Sequence, residues 1–110
     1  MALHDHTDFE YDRPSWRDAY QELDLIEFLH TLAATMNEQH AYSVAQSLIV
    51  CAQYIEGRRH GQPAAHAEFL RDFARSLTDK DGLSAYLVCD RLLAAAECIE
   101  ELGLERVSAA

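Results

Sequence analysis

The sequence predicts an all-α fold, a small bundle of about four helices preceded by a flexible acidic arm, and three observations carry that expectation. Helix formers dominate, with 17 Ala and 14 Leu against 4 Val and 4 Ile, the inverse of what a pleated sheet selects. Turn formers are scarce, 4 Gly and 2 Pro in 110 residues, so the elements are long and the connections few. Apolar residues recur at three- and four-residue spacing along four segments, the period of a helix face. The length fits one domain, and no internal repeat is visible.

Residues 1–14 lack this period and carry Asp5, Asp8, Glu10 and Asp12 around Phe9 and Tyr11, ending at Pro14; they read as the arm. Ser15 is an N-cap, with Asp18 at the third position in a variant of the capping box. The first helix is expected from Trp16 to Met36. Its early stripe (Trp16, Ala19, Tyr20, Leu23, Ile26) and its later one (Leu25, Leu29, Leu32, Ala33, Met36) lie on different faces, which implies two different contacts along its length. Asn37 is placed to cap a second helix, Glu38 to Glu56, closed by Gly57. Pro63 opens a third helix to Leu77, with Ala67, Leu70, Phe73, Ala74 and Leu77 as a regular stripe. After the turn beginning at Thr78, Asp81 or Ser84 caps a last helix ending near Leu102. There Gly103 and Leu104 fit a Schellman terminus. The domain plan is 1–14 arm, 15–104 helical domain and 105–110 tail.

Nineteen acidic residues face 8 Arg and 1 Lys, a net charge of −10 and a pI near 4.8. Direct binding to nucleic acid or to an anionic membrane is disfavoured, because both need a positive face. Residues 1–27 hold eight of the acids and two of the bases. The amino terminus has neither a basic region nor an apolar one of the kind that directs export, and no apolar run approaches the ~18 residues of a membrane span; a soluble cytoplasmic protein is expected. Cys51, Cys89 and Cys98, an odd number within apolar helical patterns, read as buried reduced thiols.

Chemical motifs are weak. Glu27 and His30 have the Glu-x-x-His spacing of di-iron bundles, but no second copy exists to complete such a site. The segment from Asp79 departs from a calcium loop at its fifth, sixth and twelfth positions. His4, His6 and Asp8 could chelate a metal only on a flexible arm. Arg58, Arg59 and His60 complement the negative end of the second helix. No nucleophile elbow, phosphate loop or zinc motif occurs. Catalysis, a resident metal and a cofactor are therefore not expected.

The second and fourth helices are too apolar for one small bundle to cover, which predicts a homodimer and a protein partner. Tyr42, Val50, Tyr54, Tyr86 and Leu93 are the candidate partner-binding residues; the same residues also fit a core role. In length, acidity and helical layout the chain resembles the small QslA-type anti-activators that sequester LuxR-family quorum-sensing regulators. That resemblance implies a non-catalytic helical dimer that occupies the dimerisation surface of a transcriptional regulator. The alternatives are an anti-CRISPR or acidic nucleic-acid-mimic inhibitor, in which the arm would act, and a small helical metal-dependent enzyme using Glu27 and His30.

Overall fold

Ser15 caps the first turn as expected. In the computed structural model, which describes residues 15–59, 61–77 and 82–109 apart from the side chains of 82–86 and 107–109, Ser15 Oγ accepts from the Arg17 N–H at 3.3 Å. Five helices follow and no strand is present among the described residues: α1 (Trp16–Ala19), α2 (Glu22–Glu38), α3 (Tyr42–Ile55), α4 (Pro63–Leu77) and α5 (Gly82–Ala109). The all-α class is thus correct.

The expected first helix is two. Tyr20 and Gln21 are extended, and Gln21 and Asp24 form a capping box that starts α2 afresh, with the Gln21 N–H donating to Asp24 Oδ2 at 2.9 Å. The break explains the two faces. Trp16 of the early stripe is buried against the core, while Leu25, Leu29 and Ala33 of the later stripe are buried from α2. Leu23, assigned to the early stripe, is 61% exposed.

Asn37 does not cap the second long helix. α2 runs on to Glu38, and the turn closes through His40, which sits at φ +65°. The His40 N–H donates to Asn37 O and the Ala41 N–H to Met36 O, at 3.0 and 2.8 Å. This is a Schellman pair with histidine in the left-handed position that glycine usually fills. The end of α3 repeats the arrangement with the expected residue: Gly57, at φ +80°, donates to Tyr54 O while the Arg58 N–H donates to Gln53 O.

Pro63 opens α4 as expected, and Ala67, Leu70 and Ala74 of its stripe are buried. At the other end of the chain the expectation fails. α5 begins at Gly82, so Ser84 lies inside it, and it passes through Gly103 without stopping; Asp81 lies outside the described residues. Gly103 is a close-approach residue rather than a cap. A Cβ there would stand 2.7 and 2.8 Å from Pro63 Cγ and Cβ. The tail expected from residue 105 is helix as far as Ala109.

Packing follows from this long helix. α2 lies along α3, α4 lies along α5, and α1, α2 and α3 all reach α5 as well. Cys89, Leu92, Ala94, Ala95, Ala96, Cys98, Ile99 and Leu102 are consequently buried. Most of the apolar surface expected to be in excess on the last helix is covered by the chain's own elements, while Leu87 and Leu104 stay 61% and 72% exposed.

The narrow polar face of α5 serves as an anchor line. Glu101 accepts from Trp16 Nε1 and Arg17 Nε, both at 3.0 Å. Asp90 accepts from the Tyr20 hydroxyl at 2.6 Å. Glu100 takes a bidentate pair from Arg71 of α4 at 2.8 and 2.7 Å, geometry that fixes orientation as well as charge. Arg106 closes the far end by donating to Tyr54 O and Ile55 O at 2.6 and 3.3 Å, adding a second donor to Tyr54 O beside the Gly57 N–H and reaching a carbonyl of the last turn of α3.

Candidate functional site

α3 differs in kind from the rest of the molecule. From Gln39 to Ile55 no Asp, Glu, Lys or Arg occurs, in a chain where such residues make up 25%. Helical geometry divides this neutral segment into two sides. Ala45, Leu48, Cys51, Ala52, Tyr54 and Ile55 enter the core, while Tyr42, Ser43 and Gln46 are exposed and Ser47, Val50 and Gln53 half-buried.

Between that open side and α4 runs a groove of about 430 Å³. Its α3 wall is Ser43, Gln46, Ser47 and Val50, spaced i, i+3, i+4 and i+7 and therefore on one stripe. Cys51 also lines it, and α4 supplies Ala65, His66 and Phe69. The Phe69 ring stacks on Phe73, their centroids 6.1 Å apart, which holds the aromatic wall in place.

The electrostatics of the groove are those of a neutral surface. Burial, and secondarily the charge of Arg59, depresses the His66 pKa below its ordinary value. Its ring lies against Tyr54 at 5.4 Å between centroids, and its Nε2 is buried with no hydrogen-bond partner among the described residues. Gly61 covers that nitrogen, since a Cβ at this position would stand 2.9 Å from it. Cys51 Sγ meets the carbonyl oxygen of His66 at 4.0 Å rather than its ring, and burial pushes the thiol up to about 12. Nucleophilic catalysis needs a thiolate in contact with its base; this pair offers a neutral thiol turned to a backbone carbonyl.

A pH dependence of stability follows. The unfolded chain protonates His66 near the ordinary value of 6.5 while the folded chain resists, so the unfolded state binds more protons in the acidic interval below it. Stability is then greatest above pH 6.5 and declines as pH falls through that interval. Urea melts from pH 7.5 to 5.5 are expected to show this decline, and His66→Gln to flatten it; an unchanged slope in the variant would refute the assignment.

The structure distributes the expected partner-binding residues unevenly. Val50 is in the groove wall. Tyr42 is 61% exposed, its hydroxyl 2.8 Å from His40 Nδ1. Tyr54 is a core residue, not a surface anchor: it is 4% exposed, with the Arg106 guanidinium 4.7 Å from its ring centre and its hydroxyl beside Gly103. Leu93 is partly buried against the core. The Tyr86 side chain lies outside the described residues.

Phe69 and His66 were not anticipated. The available signal was that Phe69 falls off the regular stripe of α4, as a large aromatic beside the solvated Glu68.

The metal-like spacings resolve into local contacts. His30 reaches across to Glu56 at the carboxyl-terminal cap of α3, 3.6 Å between Nε2 and Oε2, instead of pairing with Glu27. Arg58 meets Glu56 at 3.4 Å and Arg59 donates to Gln53 at 3.0 Å, both at the carboxyl end of α3. No group of three or more potential metal ligands forms among the described residues. His4, His6, Asp8, His60, Asp79 and Asp81 lie outside them. No described helix is long and apolar enough to cross a membrane. Compared with protein families, with characterised proteins and with solved structures, the chain matches none.

Proposed function

We propose that this protein is a non-catalytic binding protein that holds an apolar helical segment of a partner in the groove between α3 and α4. The observation that carries the reading is the uncharged open side of α3 beside a 430 Å³ groove, on a chain of net charge −10. Seating an amphipathic helix in such a groove is a common recognition mode, with side chains at i, i+3, i+4 and i+7 as anchors. The resemblance to small anti-activators directs the proposal to a transcriptional regulator whose own dimerisation helix would occupy the groove, with the encounter in the cytoplasm. Sequestration of that helix would inhibit the regulator stoichiometrically.

The test is capture by the immobilised chain from a bacterial lysate, comparing wild type with Val50→Glu. The wild type should recover a transcriptional regulator, and Val50→Glu should weaken the complex by about 2 kcal/mol or more, the scale of a central interface residue. The circular dichroism of the variant should be unchanged. A regulator captured equally by both would exclude the groove, and a CRISPR effector recovered in its place would support the other inhibitor class.

A further inference from the structure

Among the described residues that line the groove, His66 is the one whose charge can change near neutral pH. We infer that His66 is an acid-operated switch in the groove wall: on protonation its ring leaves the seat against Tyr54 and beneath Gly61 and turns into the groove, charging a neutral surface. The movement stands on the chemistry of the seat. Its effect on binding rests on the groove reading.

The seat suits a neutral ring only. His66 Nε2 is buried with no hydrogen-bond partner among the described residues, and Gly61 stands so close that a methyl there would come within 2.9 Å of it. A neutral imidazole can leave one nitrogen as an unpaired acceptor, whereas an imidazolium donates from both. A buried cationic N–H facing no acceptor is far more costly than an unpaired neutral nitrogen.

The groups facing the ring add to that cost. α3 brings the Tyr54 ring, 5.4 Å away between centroids, and Cys51, whose Sγ meets the His66 carbonyl oxygen. The connection to α4 brings the charge of Arg59, and α5 brings Arg106, stacked on the same Tyr54 ring. Two of these are cations and none is a carboxylate. His66 also lies in the first turn of α4, the positive end of that helix. Glu56 meets His30 and Arg58 instead, and Glu68 is on the exposed side of α4.

The way out is short, because the ring already belongs to the wall of the 430 Å³ groove. A turn about the side-chain bonds exchanges the dry seat for a space that water can enter and that the hydroxyls of Ser43 and Ser47 also line. An apolar helix lying there would bar the turn, so occupant and proton exclude one another. Affinity for such an occupant should then fall with pH, by at most about tenfold per pH unit. His30 has the opposite sign, since its protonation strengthens the contact with Glu56.

Nuclear magnetic resonance of the chain labelled at histidine and tyrosine tests the movement, with His66 assigned by the signal lost in His66→Gln. From about pH 7.5 to about pH 5, the expected result is a His66 midpoint below the ordinary 6.5. The Overhauser contact between the His66 and Tyr54 rings should vanish with the same midpoint while the circular dichroism is unchanged. A ring that keeps this contact once protonated, titrates at 6.5 or above, or stays neutral until helicity is lost overturns the inference. His30→Gln should alter neither observation; a movement abolished by that variant would put the switch at the end of α3 and overturn it too.

Target capture at about pH 7.5 and about pH 5.5 tests the effect on binding: the wild type should bind several-fold more weakly at the lower pH, and His66→Gln should change by less than about twofold. Equal capture at both pH values by a wild type whose ring moves overturns the control of binding. Failure of the groove reading looks different, because Val50→Glu would then leave capture unchanged while the ring still moved.

Discussion

Replacing Trp16 by alanine is expected to remove about 3–5 kcal/mol of folding stability, the range for deleting a buried large aromatic. Trp16 is 3% exposed and supplies most of what the four-residue α1 offers to the core. Its Nε1–H also donates to Glu101 Oε2, so the substitution leaves that carboxylate with Arg17 alone. For a domain whose total stability is about 5–15 kcal/mol, the loss is a large fraction. Trp16→Phe, which keeps most of the volume and loses the N–H, should cost clearly less. Urea melts followed by circular dichroism decide the matter. A cost under about 1 kcal/mol for the alanine variant, the size of an ordinary surface change, would mean that α1 is not part of the cooperative core.

Gly103→Ala separates an uncrowded helical position from the other two readings by its sign, and the size of the loss separates those two. As a terminal glycine in a left-handed turn, Gly103 would lose roughly 1 kcal/mol on becoming Ala. Within an uncrowded helix, it would gain about 1 kcal/mol from helix propensity. Its observed place against Pro63 and the Tyr54 hydroxyl gives a third result. The added methyl presses on a proline ring that cannot swing away, and overpacking of this kind costs about 1–3 kcal/mol, occasionally more. The net expectation is destabilisation by Ala and a much larger loss with Val, which adds bulk at the same contact and a β-branch within a helix. A stabilised Gly103→Ala variant would show that α4 and α5 part there at little cost.

Sequence reasoning succeeded where a local rule had no tertiary competitor. Ser15, Gly57 and Pro63 do what their backbone chemistry dictates, and the stripe of α4 needed only the helical period. It failed where the deciding partner is distant in the chain. Nothing local to Gly103 announces Pro63, 40 positions earlier, and a glycine followed by leucine imitates a helix end. The break at Tyr20 depended on a Gln21/Asp24 capping box, a weaker signature than the Ser15 cap next to it. His40 in the left-handed region breaks the usual preference for glycine, so Asn37 looked like the better boundary.

The site was legible in part for the same reason. The apolar wealth of the second long helix was visible, but which of its two sides faces inward depends on how α2 and α5 approach it. Tyr54 and Val50 are four residues apart on the same helix and end in opposite circumstances, one held between Arg106 and His66, the other in an open wall. The groove also needed α4, whose Phe69 has no pattern of its own.

The anchoring of Trp16 and Arg17 to Glu101 and Glu105, 84 to 88 positions away in sequence, makes the molecule a closed circuit. Its clasp is α5. Without the 28 residues of that helix, α1 has nothing to grip, the α2–α3 pair lacks one wall and α4 has no bed. Contacts that form ahead of α5 are confined to short hairpins, and joining α1 to α5 carries the loop-closure cost of the intervening chain. A copy lacking its final two turns would lose Arg106 and with it the latch on the end of α3. A chain without α5 would therefore carry the uncharged α3 without the framework that orients it, and the groove beside α4 would lose its shape with it.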